Sequence, residues 1–92
     1  MNRVEQIRTA LAAALAPALL EVEDDSHRHV GHAGARDGRG HFNVVVVSEV
    51  FAGKGPLARH RAVYAALGTM METDIHALSI KALTPGEHAA GA

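Results

Sequence analysis

The order of helical and extended patterns along the chain predicts an α+β fold in a single domain. Two segments repeat apolar residues at helical spacing, and three shorter segments alternate or run in β-branched residues. Ninety-two residues are too few to divide into two units that each bury a core. We therefore expect one domain over residues 1–92, with a core from about residue 4 to residue 85 and a disordered tail over 86–92.

The first helix is predicted over residues 4–16, because apolar side chains recur every three or four positions. They are Val4, Ile7, Leu11 and Leu15. Asn2 is a residue type that caps helix starts, and Pro17 ends the pattern. Residues 19–23 then alternate as in a short strand. The segment predicts a helix followed by a strand.

A long loop is expected over residues 24–40, which hold four glycines and few apolar residues. Residues 41–48 give the strongest strand signal, since four consecutive valines disfavour a helix and suit a pleated sheet. A turn follows over 49–55, and Pro56 suits the first turn of a helix predicted over 56–72.

The last strand is predicted over residues 75–83, where apolar and polar residues alternate. Strict alternation divides the side chains between two faces of the sheet. One face then holds Ile75, Ala77, Ser79 and Lys81. The other holds His76, Leu78, Ile80 and Ala82.

Composition excludes several function classes. There is no cysteine, so disulfides, thiolate catalysis and a self-contained cysteine-ligated metal site are excluded. A formal net charge of −1 gives no support to a strong, sequence-independent grip on phosphates. Glu5 and Arg8 interrupt the apolar N-terminus, and no apolar run matches a membrane span, so we expect a cytoplasmic protein with no membrane contact. No nucleophile–base pair or phosphate loop is present, and we expect no enzyme.

Histidine is the unusual residue, with seven in the chain. They are His27, His29, His32, His41, His60, His76 and His88. Imidazole is a common metal ligand, so the H-x-H-x-x-H run in the loop could capture Zn²⁺ or Ni²⁺; the alternative is a solvated loop. His41 starts the second strand and is a reserve ligand. For His76, the residues alone favour a structural histidine bonded to a nearby carbonyl.

A cluster of cations lies near the turn that precedes the second helix. Lys54, Arg59 and Arg61 are close to the expected helix start, where backbone N–H groups attract anions. KH domains clamp nucleic acid at such a turn through a GXXG loop, whereas residues 53–56 read Gly-Lys-Gly-Pro. These cations are candidates for nucleic-acid contact, and a generic solvated face remains the alternative.

Three stretches together resemble the BolA family, in the right order and at nearly the right spacing. They are EVEDDSHRH, HFNVVVVSEVFAGKGPLARHRAVYAAL and IHALSIKALTP. Within them, the F-x-G…R-H-R-x-V-Y segment from Phe51 to Tyr64 and the H-A-L motif at 76–78 are specific. The resemblance implies an α-β-β-α-α-β fold similar to a type II KH domain, with a three-stranded sheet packed against helices. It also implies a short extra helix within residues 50–55.

The resemblance further implies a role in iron–sulfur chemistry. BolA-like proteins form heterodimers with monothiol glutaredoxins, and the pair shares a [2Fe–2S] cluster; apo forms also associate. The implied ligands are His76 and the loop residue His29, which follows Ser26 by three positions in a D/E-S-x-x-H stretch. His32 is a second candidate in a longer, glycine-rich loop.

A chain without cysteine supplies only imidazoles, so the thiolates of such a cluster must come from the glutaredoxin and from glutathione. We expect no cluster on the chain alone. Some family members bind promoter DNA, which makes a DNA-binding transcriptional regulator the alternative function. A homodimer is a second association state to consider.

Overall fold

The computed structural model describes residues 2–26 and 39–91 and confirms the α+β class. Its elements, in chain order, are helix α1 (Arg3–Leu15), strands β1 (Leu19–Asp24) and β2 (Gly40–Val47), a 3-10 helix (Glu49–Phe51), helices α2 (Pro56–Leu67) and α3 (Met70–Thr73), strand β3 (Ile75–Leu83) and helix α4 (Pro85–Gly91). Within these two segments, none of the helices has the length and apolar character of a membrane span.

Helix α1 begins and ends within one residue of the predicted boundaries at 4 and 16. The side chain of Asn2 accepts a hydrogen bond from the backbone N–H of Glu5 at 2.9 Å, which satisfies one donor of the first turn. At the other end, Ala16 adopts a left-handed conformation with φ 43° immediately before Pro17. Both boundaries are therefore local effects of capping and of proline.

The sheet has the order β1-β2-β3, with β1 antiparallel and β3 parallel to the central strand. Alternate residues of β2 point into the core, where Phe42, Val44 and Val46 are buried. These side chains pack against apolar residues of α1 and α2, namely Ile7, Leu11, Leu15, Val63 and Leu67. The opposite face of the sheet carries exposed polar residues such as Glu21 and Ser79.

The predicted faces of β3 are wrong at its start. Gly40 pairs with Ile75 but His41 pairs with Ala77, so the register shifts by one residue at His76. Because the extra residue resets the alternation, Ile75 is buried in the core with the face that carries Leu78. The side chain of His76 does not lie on that face and is exposed. From Ala77 onward the predicted alternation holds.

The helix predicted over residues 56–72 is divided into α2 and α3 by Gly68. This residue has φ 56° and ψ −130°, a conformation that side-chain-bearing residues rarely adopt. Its N–H still donates to Tyr64 O at 3.0 Å, which closes α2. The short helix expected within 50–55 is the 3-10 helix at Glu49–Phe51, one residue earlier, capped by Ser48.

The expectation of a disordered tail is also wrong, because α4 forms over most of it. Thr84 Oγ1 accepts a hydrogen bond from the N–H of Glu87, and Glu87 Oε1 accepts one from the N–H of Thr84. This is a capping box, with Pro85 in the first turn. The sequence Thr-Pro-Gly-Glu at residues 84–87 is the local signal for this helix start.

Candidate functional site

Two of the histidines meet at one corner of the sheet. The ring of His76, at the bulge of β3, lies 5.1 Å from the ring of His41, at the start of β2, with 45° between the ring planes. His76 is exposed, whereas His41 is half-buried and its Nε2 is buried. The structure therefore brings together the expected main ligand and the expected reserve ligand, and it presents His76 to solvent.

Asp25 and Ser26, which follow β1, are hydrogen-bonded to His41 at this corner. The N–H of Asp25 donates to His41 O at 2.8 Å, and the N–H of His41 donates to Ser26 Oγ at 3.0 Å. The N–H of Ser26 in turn donates to Asp24 Oδ1. Gly40 permits this packing, since a Cβ there would lie 2.8 Å from Ser26 Oγ and 2.6 Å from the ring of Phe42.

Arg39 and Gly40, at the start of β2, contact the same corner. The N–H of Gly40 donates to Asp74 O at 2.9 Å, immediately before β3. The preceding side chain, Arg39, places Nη2 3.3 Å from His76 Nδ1 and Nη1 3.5 Å from Glu72 O. Ser26 therefore lies beside His41, and Arg39 lies beside His76.

The remaining metal-ligand candidates, His27, His29 and His32, lie outside the described residues. Over residues 2–26 and 39–91, no three His, Asp or Glu side chains are grouped closely enough to hold a metal ion. Ser26 and Arg39 also contact this corner, although neither is among the predicted ligands. Ser26 is part of the D/E-S-x-x-H stretch, whereas nothing in the sequence distinguishes Arg39 from other arginines.

A shallow cavity of about 250 Å³ adjoins His41 on the sheet. Small or polar side chains line part of it, among them Ala77, Ser79 and Asn43. Asn43 Nδ2 donates to Glu23 Oε1 at 2.7 Å across the paired strands. The cavity leaves open space beside His41 on the exposed face of the sheet.

The three candidate nucleic-acid residues differ in their surroundings. Arg59 is mostly buried: it donates from Nε to Lys54 O, from Nη1 to Ala82 O, and from both terminal nitrogens to the carboxylate of Glu87 at 2.6 and 3.0 Å. Lys54 and Arg61 are exposed. Arg59 therefore connects α2, β3 and α4, and only the other two cations are presented outward.

The ion pair between Arg59 and Glu87 shifts the pKa values of both residues. The hydrogen bonds from Arg59 hold the pKa of the Glu87 carboxyl at about 2, below its ordinary value of 4.5, and the N–H of Thr84 adds to the effect. The same contact raises the pKa of Arg59. Each partner stabilises the charged form of the other.

A protein-family model matches most of this chain. The family model described as "BolA-like protein" matches residues 11–87. SufE-like protein 1 of Arabidopsis thaliana is 45% identical in an alignment 91 residues long, and the match covers 94% of this chain and 24% of that protein. Protein BOLA1, chloroplastic, of the same plant is 44% identical over 89 residues, 94% of this chain and 56% of its own length. The chain thus spans about a quarter and about half of these two relatives.

Two further similarities agree with the family model. The DNA-binding transcriptional regulator BolA of Escherichia coli (strain K12) is 42% identical over 80 residues, 87% of this chain and 73% of that protein. The solved structure of BolA1 from Arabidopsis thaliana superimposes with a TM-score of 0.82 at 42% identity, covering 95% of this chain and 96% of that one. Sequence and fold lead to one conclusion: this chain belongs to the BolA-like protein family.

Proposed function

We propose that this protein supplies imidazole ligands to a [2Fe–2S] cluster that it shares with a monothiol glutaredoxin and glutathione during cluster assembly or trafficking. The observation that carries the proposal is that Ser26 contacts His41 and Arg39 contacts exposed His76, and that these two histidine rings lie 5.1 Å apart at one corner of the sheet. A histidine on a strand and histidines on a loop that starts beside it can reach one metal centre.

The donor set fits such a cluster. A [2Fe–2S] cluster takes four ligands, and in some proteins two imidazoles replace two thiolates at one iron. Metal–nitrogen bonds of about 2 Å place the centroids of two such rings roughly 5 Å apart, so the 5.1 Å between His41 and His76 is compatible with a two-histidine centre. Since the chain has no cysteine, thiolates must come from the partner and from glutathione.

The candidate ligands differ in how much each must move to reach a shared metal. The backbone of His76 lies within β3, so binding a metal there requires side-chain movements and no ordering of the main chain. His29 follows Ser26 by three residues, which span at most about 10 Å, so it can return to the corner. His32 lies three residues further on, beyond Gly31, and serves as a substitute. His41 stays in reserve, because its Nε2 is buried.

The test mixes the protein anaerobically with a monothiol glutaredoxin, glutathione, iron and sulfide, and follows visible absorption and molecular size. We expect a coloured heterodimer whose His76→Ala variant lacks the histidine-ligated cluster. His29→Ala weakens the cluster, and combining it with His32→Ala removes most of what remains. The matched control is His88→Ala, which removes an exposed imidazole of α4.

Three outcomes would count against the assignment. An unchanged spectrum for His76→Ala would remove the strand ligand from the proposal. Loss of the cluster in His32→Ala alone, with His76→Ala intact, would move the site into the loop. Equal losses in His76→Ala and His88→Ala would indicate a general effect of removing histidine.

A DNA-binding regulator is the second candidate, and the observation that favours it is the name carried by the Escherichia coli relative. Here the exposed cations Lys54 and Arg61 are the proposed phosphate contacts, since Arg59 is engaged with Glu87. If this function is correct, Lys54→Ala and Arg61→Ala each weaken DNA binding and reduce its salt slope by about one unit per lost phosphate contact. Binding unchanged by both substitutions would exclude this face.

A further inference from the structure

The contact between Arg39 and His76 determines which ring nitrogen carries the proton. Arg39 Nη2 lies 3.3 Å from His76 Nδ1. A guanidinium has donors and no acceptor, so in this contact Nδ1 must accept. A neutral imidazole that accepts at Nδ1 carries its single proton on Nε2. In the observed arrangement, therefore, neither nitrogen of His76 offers a free lone pair.

Metal coordination at either nitrogen is incompatible with this contact. Coordination at Nδ1 uses the lone pair that receives the Arg39 hydrogen bond. Coordination at Nε2 requires that the proton move to Nδ1, and then two N–H donors face each other. His76 can bind a metal only after Arg39 has moved away.

We propose that Arg39 is a positioning residue that locks His76 in its metal-free state and must be displaced before His76 becomes a ligand. The inference rests on the proposed function of His76 as a cluster ligand. It adds that Arg39 regulates metal binding at that site. Without the cargo, the lock protects an exposed imidazole from adventitious metal ions.

The main chain beside Arg39 is held close to His76. The N–H of Gly40, the next residue, donates to Asp74 O at 2.9 Å, two residues before His76. The guanidinium also lies 3.5 Å from Glu72 O, so its displacement breaks contacts with both Glu72 and His76. Displacement of Arg39 is therefore a movement of its side chain that leaves this backbone contact in place.

The test uses the full chain with Arg39→Met, which keeps most of the side-chain length and removes the donors. The control is Lys81→Met. It also removes one positive charge, from the far end of β3, the strand that carries His76. The first readout is a long-range ¹H–¹⁵N spectrum of the metal-free protein at about pH 8, where ordinary imidazoles are neutral. We expect His76 of the wild type and of Lys81→Met to carry its proton on Nε2.

The second readout is a Zn²⁺ titration that follows the Cε1–H resonance of His76 itself, so that binding elsewhere does not interfere. Arg39→Met should bind Zn²⁺ at His76 about three- to tenfold more tightly than the wild type, the effect of losing one exposed charge-assisted hydrogen bond. The difference should persist from about 0.1 M to about 1 M salt, over which the screening length falls from about 10 Å to about 3 Å.

Three outcomes would overturn the lock: a proton on Nδ1 of wild-type His76, equal Zn²⁺ affinities in the two variants, or a gain that high salt abolishes. None of these readouts requires a glutaredoxin. If His76→Ala retains the shared cluster while Arg39→Met still shows the Zn²⁺ gain, the proposed function fails and the lock stands.

Discussion

Arg59 contacts three elements through one side chain. Besides its hydrogen bonds to Lys54 O, Ala82 O and Glu87, its guanidinium lies 5.9 Å from the centre of the Phe51 ring. An arginine with this many partners is a structural connection, since its planar donor groups are already satisfied. The same residue type beside a glycine-rich turn suggested phosphate binding in the sequence, and only the contacts with distant residues distinguish the two roles.

The Arg59–Glu87 pair predicts a pH dependence of stability. The folded-state pKa of Glu87 is about 2, below the ordinary value of 4.5. For a depressed carboxyl pKa, the stabilisation is complete above the unfolded value and is lost as the pH falls from 4.5 toward 2. Urea unfolding of Glu87→Gln should therefore show less stability than the wild type at pH values above 4.5, with the gap closing in acid.

The control for this experiment is Glu21→Gln, which removes an exposed carboxylate from β1. Its difference from the wild type should change much less over the same pH range. A gap between wild type and Glu87→Gln that stays constant down to pH 2 would contradict the shifted pKa.

Ser48 predicts a stability loss of a different kind. Its side chain is 1% exposed, donates to Leu15 O and accepts from the N–H of Val50. Ser48→Ala removes the hydrogen-bond partner of Leu15 O and of the N–H of Val50 at the start of the 3-10 helix. It should therefore lower the free energy of unfolding by about 1–3 kcal/mol. Chemical denaturation measures the change. Ser79→Ala, on the exposed face of β3, should stay within about 0.5 kcal/mol; equal losses would refute the explanation.

At the level of elements, Gly68 decides that α2 and α3 are separate helices. A Cβ there would meet nothing within 4 Å, so the cost of a side chain is conformational and not steric. With φ 56° and ψ −130°, Gly68→Ala should destabilise the fold by about 1–3 kcal/mol in denaturation experiments.

Gly86→Ala is the matched control for Gly68→Ala, because Gly86 lies within helix α4 and a Cβ there has its nearest neighbour at 4.0 Å. Alanine is favoured over glycine in helices by about 1 kcal/mol, so this variant should be neutral or more stable. A stable Gly68→Ala protein would mean that α2 and α3 can join, as the residue pattern predicts.

The bulge at His76 is the element-scale feature that forms the site. Parallel pairing of β3 with β2 shifts by one residue between Gly40 and His41. Without the shift, His76 would face the core side of the sheet and Ile75 would be exposed. One extra residue in β3 therefore buries Ile75 and turns His76 toward solvent beside His41.

For the whole molecule, the absence of cysteine predicts dependence on a partner. The purified chain with iron and sulfide, but with no added thiol or glutaredoxin, should not retain a [2Fe–2S] cluster, since imidazoles provide at most half of the usual ligand set. Anaerobic desalting followed by visible absorption and iron analysis tests this. A stable coloured monomer would contradict both the prediction and the proposed sharing of ligands.

Much of the fold was predictable from residue order alone. The Asn2 cap, the stop at Pro17, the valine-rich β2 and the exposed face of β3 from Ala77 onward follow from neighbours within about four residues of one another. The absence of cysteine and the histidine count are likewise properties of the sequence, and they determined which ligands this protein can offer.

The tertiary structure alone decided the remaining features. The bulge that presents His76 arises from the register between strands, and the Arg39–His76 contact joins residues 37 positions apart. The Arg59–Glu87 pair spans 28 positions. Local patterns set backbone preferences because capping and alternation act between near neighbours. Contacts between distant residues depend on how complete elements pack, so no local pattern in one chain specifies them.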